Sequence, residues 1–143
     1  MGHIEALFQE ACALRAAEVS LELHRDSVEV IWPKLGRGHE VRFLQDNVSD
    51  TLMLVALVAR AAQIEKISQS DLCRIMLLQN RATRVVAFRR TVLHGHIEAT
   101  VVCRASTLSS EELQYYLLIV AREADRLELV LTGTDARLRG RSR

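Results

Sequence analysis

The chain lacks every residue set that would specify a reaction. It has no G-x-G-x-x-G repeat and no P-loop lysine, so Gly36-Arg37-Gly38 is too short for a phosphate cradle and reads as a strand turn. Cysteine is scarce: Cys12, Cys73 and Cys103 are odd in number and lack the paired spacings of a disulfide framework or zinc site. All three fall in apolar periodic segments, away from the exposed, electropositive setting a reactive thiolate needs. They read as reduced, small core residues, which suits a cytoplasm. No run approaches the roughly twenty apolar residues that span a bilayer, and Glu5 and Glu10 break the N-terminal stretch where an export signal would be apolar. Aromatics are few, and Phe88 is the only one between Arg74 and Arg104.

What is present is an ordinary globular balance. The 143 residues are 49% hydrophobic and 26% charged, enough to bury a core in one domain without staples. The net charge of +1 is unevenly spread: Arg74 to Arg104 holds six arginines against the single acid Glu98, and Arg137 to Arg143 adds four more. Seventeen of the nineteen cationic residues are arginine, a bias that codon usage alone can produce.

Periodicity gives the elements. Ile4, Leu7, Phe8, Ala11 and Leu14 repeat at helical spacing, which predicts an amphipathic first helix. Val19 to His24 fits either a continuation of that helix or a strand. Val28, Val30 and Trp32 alternate up to Pro33 and the Gly36–Gly38 turn, and Val41 and Phe43 alternate within His39 to Leu44. Thr51 to Arg60 is so uniformly apolar that a buried strand and a buried helix fit almost equally. Ser70 can cap a helix carrying Leu72, Ile75, Met76 and Leu78 or Gln79 near one face, with Asn80 ending it. A hairpin follows, its inner side expected at Val85, Ala87, Thr91 and Leu93, then Ile97, Ala99, Val101 and Cys103, around a tight His94-Gly95-His96 turn. Ser109-Ser110-Glu111-Glu112 matches a capping box and opens a helix from about Ser110 to Leu131. Residues 1–133 read as one domain and 134–143 as a basic, disordered tail.

In order this is α-β-β-β-α-β-β-α, an α+β fold with an antiparallel sheet packed by helices. On Ile67-Ser-Gln-Ser-Asp-Leu72, Leu78-Gln-Asn80, the Arg84–Arg104 hairpin, Leu108-Ser-Ser-Glu-Glu-Leu113 and Ala124-Asp-Arg-Leu127, the chain resembles the YbjN-like branch of the type III secretion chaperone-like proteins, the group that includes the CesT/Tir-chaperone fold. The resemblance makes Thr51 to Arg60 the third strand. It implies a small bacterial, cytoplasmic homodimer that binds a segment of a client protein, with no catalysis, cofactor or metal.

The last helix independently points to association. Leu113, Tyr116, Leu117, Val120, Ala124, Leu127 and Leu131 form one apolar stripe, while Tyr115, Leu118, Ile119 and Leu129 form a neighbouring second one. Either another molecule or the first helix must cover that second stripe.

The remaining chemistry has simpler readings. His94 and His96 could approach one ion, but zinc wants three or four fixed ligands and only Glu98 and Cys103 lie near, so a solvent-exposed hairpin tip is the better account. Glu111 and Glu112 sit where a helix start favours negative charge. Arg89, Arg90 and Arg104, with the tail, form a possible basic patch and the rival reading, a nucleic-acid-associated protein. Without exposed stacking aromatics that reading ranks below a solvated charged face.

Overall fold

A computed structural model describes residues 2–133; the tail expected to be disordered lies outside them. Helix α1 (Gly2–Ala13) is followed by strands β1 (Ser20–Leu23) and β2 (Ser27–Trp32), a 3-10 turn at Pro33–Leu35, and strands β3 (Arg37–Asp46) and β4 (Thr51–Ala59). Then come the short helix α2 (Ala61–Ile64), α3 (Gln69–Ala82), β5 (Ala87–Arg90), β6 (Ile97–Arg104), a 3-10 turn at Ala105–Thr107 and the long α4 (Ser110–Thr132). The strands form one antiparallel sheet in the order β1-β2-β3-β4-β6-β5. The expected α+β architecture is present, and the ambiguous Val19–His24 segment resolves as the extra edge strand β1.

The uniformly apolar β4 is a strand because it is central, with β3 and β6 on its flanks. Leu52, Leu54 and Ala56 join Val28, Val41, Ala99 and Val101 on the side that α4 covers, all essentially buried. Met53, Val55 and Leu57 point to the other side. Phe8 of α1 stacks on Phe43 of β3 at 4.0 Å between ring centres, and the Gln114 amide of α4 donates to the carbonyls of Ala11 and Leu14. The first helix therefore packs against both the sheet and the last helix.

Caps follow sequence chemistry. The Glu112 N–H donates to the Ser109 hydroxyl and the Glu112 carboxylate accepts the Ser109 N–H, both at 3.1 Å, while Gly133 closes α4 in the left-handed region at φ 69°. Gly36, at φ 62°, closes the 3-10 turn after β2 in the same way.

Four expectations are corrected. α3 is capped by Ser68, whose hydroxyl accepts the Asp71 N–H, and not by Ser70. Asn80 does not end α3: it does not take the left-handed conformation that would close the helix, which runs on to Ala82. In β5 the inner residue is Phe88, paired with Ala99, while Ala87 and Val85 face solvent and Leu93 lies exposed in a longer loop closed by Thr91 and His96. The large ring of Phe88 gains more by burial than the methyl of Ala87, and that fixes the register. Of the cysteines, Cys73 is exposed and only Cys12 and Cys103 are half-buried.

Candidate functional site

The two edges of the sheet differ. At the β5 edge, the Phe88 N–H donates to Asn80 Oδ1 at 2.7 Å and Asn80 Nδ2 donates to the Phe88 carbonyl at 3.1 Å. One side-chain amide from α3 thus takes the donor and acceptor that a further strand would use. At the β1 edge the His24 N–H donates inward to the Ser27 carbonyl at 2.8 Å. Backbone groups alternate along a strand, so Glu22 also points at β2, and the N–H and C=O of Leu21 and Leu23 point away from the sheet. No strand of the described residues lies beyond β1.

Beside that free edge lies a groove of about 310 Å³ between α1, β1 and β3. Ile4, Phe8, Leu23 and Phe43 supply its apolar surface, with Glu5 and Arg25 among its polar residues. A row of free backbone donors and acceptors next to an apolar slot is what an added strand needs: main-chain bonds for affinity and a pocket for alternate side chains.

The residues singled out in α4 do not form one patch. Tyr115 and Leu129 are 51% and 47% exposed, but Leu118 and Ile119 are half-buried against the core. Tyr115 and Leu129 lie fourteen positions apart along the helix, about 21 Å at 1.5 Å per residue. A different apolar row lies on the sheet face opposite α4, where the exposed Leu44 and Val102 flank the half-buried Met53, the three standing directly across from one another on β3, β4 and β6.

The basic patch is partly spent. Glu98, only 7% exposed, accepts from Arg89 at 3.1 Å and from Arg42 at 3.2 Å. Arg90 bonds the Gly95 carbonyl and Gln69, and Arg104 is exposed at the end of β6 opposite Thr51. The imidazoles of His94 and His96 stack 5.5 Å apart, and His96 Nδ1 accepts the Ala61 N–H at 2.9 Å, which ties the loop to α2. Glu111 and Glu112 lie in the first turn of α4. Burial raises the Cys12 thiol above its ordinary pKa, and burial followed by the charge of Glu112 does the same to Cys103. Both are made poorer nucleophiles.

Sequence reasoning missed a buried charged cluster. Arg37 and His39 on β3 meet Asp125 and Glu128 on α4: Arg37 pairs with Asp125, and His39 Nε2 donates to the Leu57 carbonyl at 2.7 Å. His39, Asp125 and Glu128 are 2%, 5% and 1% exposed, and ligand-type atoms of the three lie within 4.8 Å of one another. They are the described residues best disposed to hold a cation, but Arg37 already brings a positive charge to Asp125. We read the cluster as a polar pin between sheet and helix. Its signals were present in the sequence: His39 shares its strand parity with Val41 and Phe43, and Asp125 and Glu128 fall beside the apolar stripe of Ala124 and Leu127.

No family model and no curated protein matches the chain. Solved structures do. The ExsC–ExsE complex matches over 90% of this chain and 92% of that one, with 18% identity and a TM-score of 0.60. The HopA1–SchA chaperone–effector complex matches over 92% and 94%, with 12% identity and a TM-score of 0.56. The Yersinia pestis type III secretion chaperone SycH, in complex with a fragment of YscM2, matches over 87% and 98%, with 14% identity and a TM-score of 0.54. The chain shares the fold of type III secretion chaperones. No described helix is long and apolar enough to cross a membrane.

Proposed function

We propose that this protein is a non-enzymatic, chaperone-like binding module of the YbjN-like branch, working in the cytoplasm, that holds an extended segment of a client protein along β1. The observation that carries the reading is the free Leu21–Leu23 backbone beside the Phe8–Phe43 groove, in a sheet whose opposite edge Asn80 seals. The similarity of fold to chaperones solved with protein partners supports the same reading.

Hydrogen exchange on the protein with a candidate client, such as the product of an adjacent gene, tests it. The Leu21 and Leu23 amides gain protection on binding, while the Phe88 amide is already protected and changes little. A client that binds and leaves both β1 amides exchanging as before overturns the reading.

The module further acts as a homodimer, the state the resemblance implies. Two exposed apolar surfaces can supply the contact: the Leu44–Met53–Val102 row, and Tyr115 with the exposed parts of Leu118 and Ile119. Light scattering at micromolar concentration reports the mass, and Met53→Glu against Tyr115→Glu tells which surface is buried. A strict monomer removes the dimer from the proposal.

The basic nucleic-acid reading has less support, since Arg89 is committed to Glu98 and Phe88 is buried. Absence of oligonucleotide binding at low salt retires it.

A further inference from the structure

A second cavity, about 370 Å³, opens between the 3-10 turn after β2 and the C-terminal half of α4. Its walls combine two kinds of surface. Trp32, Leu35 and Leu129 are apolar, with Leu35 and Leu129 about half exposed, and Arg37, Arg122 and Arg126 bring three guanidinium groups against the single carboxylate of Asp125.

The charges do not cancel. Arg37 is paired with Asp125, although its Nε is buried without a hydrogen-bond partner, and Arg126 is paired with Glu123 at 2.7 Å. Arg122 is exposed and makes no ion pair among the described residues. The cavity therefore keeps one guanidinium, that of Arg122, for a ligand. Arginine's planar fork matches a carboxylate in bidentate geometry.

We infer that this cavity docks a short acidic and apolar segment of a partner protein, a carboxylate on Arg122 with a large aliphatic or aromatic side chain against Trp32, Leu35 and Leu129. Charge complementarity chooses this occupant: a basic segment would be repelled, and an uncharged one would gain no ion pair from Arg122. The site uses none of the residues of the β1 edge. Strand addition can fail while this docking holds, and the reverse.

Trp32 is the only tryptophan in the chain, so its fluorescence reports this cavity directly. The probe is a capped peptide alternating aspartate and leucine, titrated beside a lysine–leucine peptide of the same length and a short thymidine oligonucleotide. The expected result is a saturable blue shift of Trp32 with the acidic peptide alone, weakened by added salt. Arg122→Glu, at an exposed position, should weaken that binding about tenfold or more, and Arg122→Gln by less. Leu21→Pro should leave it unchanged. No shift with the acidic peptide at millimolar concentration, an equal shift with the lysine peptide or the oligonucleotide, or unaltered affinity in Arg122→Glu would overturn the inference.

Discussion

The β5 and β1 edges of one sheet face the same problem and meet it differently. At β5, a helix brings Asn80 alongside Phe88, and its amide substitutes for the strand that is not there. At β1 no described residue substitutes, and the chain instead places Leu23 beside an apolar groove. An exposed edge is a liability that proteins usually blunt with charge, proline or a covering element. A sheet that covers one edge by a specific side chain and leaves the other open has a direction for association built into it.

The sharpest way to break this contrast is to unseal β5. Asn80→Ala removes both bonds to Phe88 and leaves a backbone donor and acceptor without partners, a loss of about 3 kcal/mol that urea unfolding can read. The variant should also form larger species by edge pairing. Asn80→Asp keeps the acceptor for the Phe88 N–H but loses the donor, and should cost roughly half as much. Stability equal to wild type in both variants would mean that the seal contributes nothing.

Proline scanning along β1 probes the other side of the contrast with a smaller effect. Glu22→Pro deletes an N–H that points into the sheet and should cost about 2 kcal/mol. Leu21→Pro deletes one that points outward; it should cost about 1 kcal/mol, through lost packing of a half-buried side chain, yet abolish client binding. If Leu21→Pro proves the more destabilising of the two, the assignment of which backbone groups face outward is wrong.

Local signals were legible in the sequence wherever the physics is local. The Ser109–Glu112 capping box needs only four consecutive residues, and the alternation of Val28, Val30 and Trp32 needs only a strand half covered by helix. The open β1 edge was less legible, because Leu21 continues a helical stripe and alternates like a strand at once. What decides between those readings is pairing with β2, which a short window cannot contain. The same limit hid the inward turn of Phe88 and the second role of Asn80. The Arg37–Asp125 pair joins residues 88 positions apart, so no spacing rule reaches it. The doubled apolar stripe of α4 was visible, but its middle, Leu118 and Ile119, is half-buried against the core and leaves Tyr115 and Leu129 as separate exposed ends.

Thiol chemistry supplies the smallest and most direct comparison of the two sides. Cys73 is exposed on α3, the helix that seals β5, whereas Cys12 on α1 and Cys103 on β6 are half-buried with thiols held above the ordinary value of 9.0, in both cases first by burial. A disulfide reagent at neutral pH should therefore modify one thiol quickly and two slowly, because fewer thiolates form at the raised sites. The linkage has a definite sign. A thiol raised on folding keeps its proton in the native chain at a pH where the unfolded chain releases it, so the stability it contributes is complete below about pH 9 and is lost as pH climbs through the raised native value. Stability measured from neutral to alkaline pH should fall on that limb, and Cys103→Ala should flatten it. A limb unchanged in Cys103→Ala would mean that burial at Cys103 does not set the alkaline response.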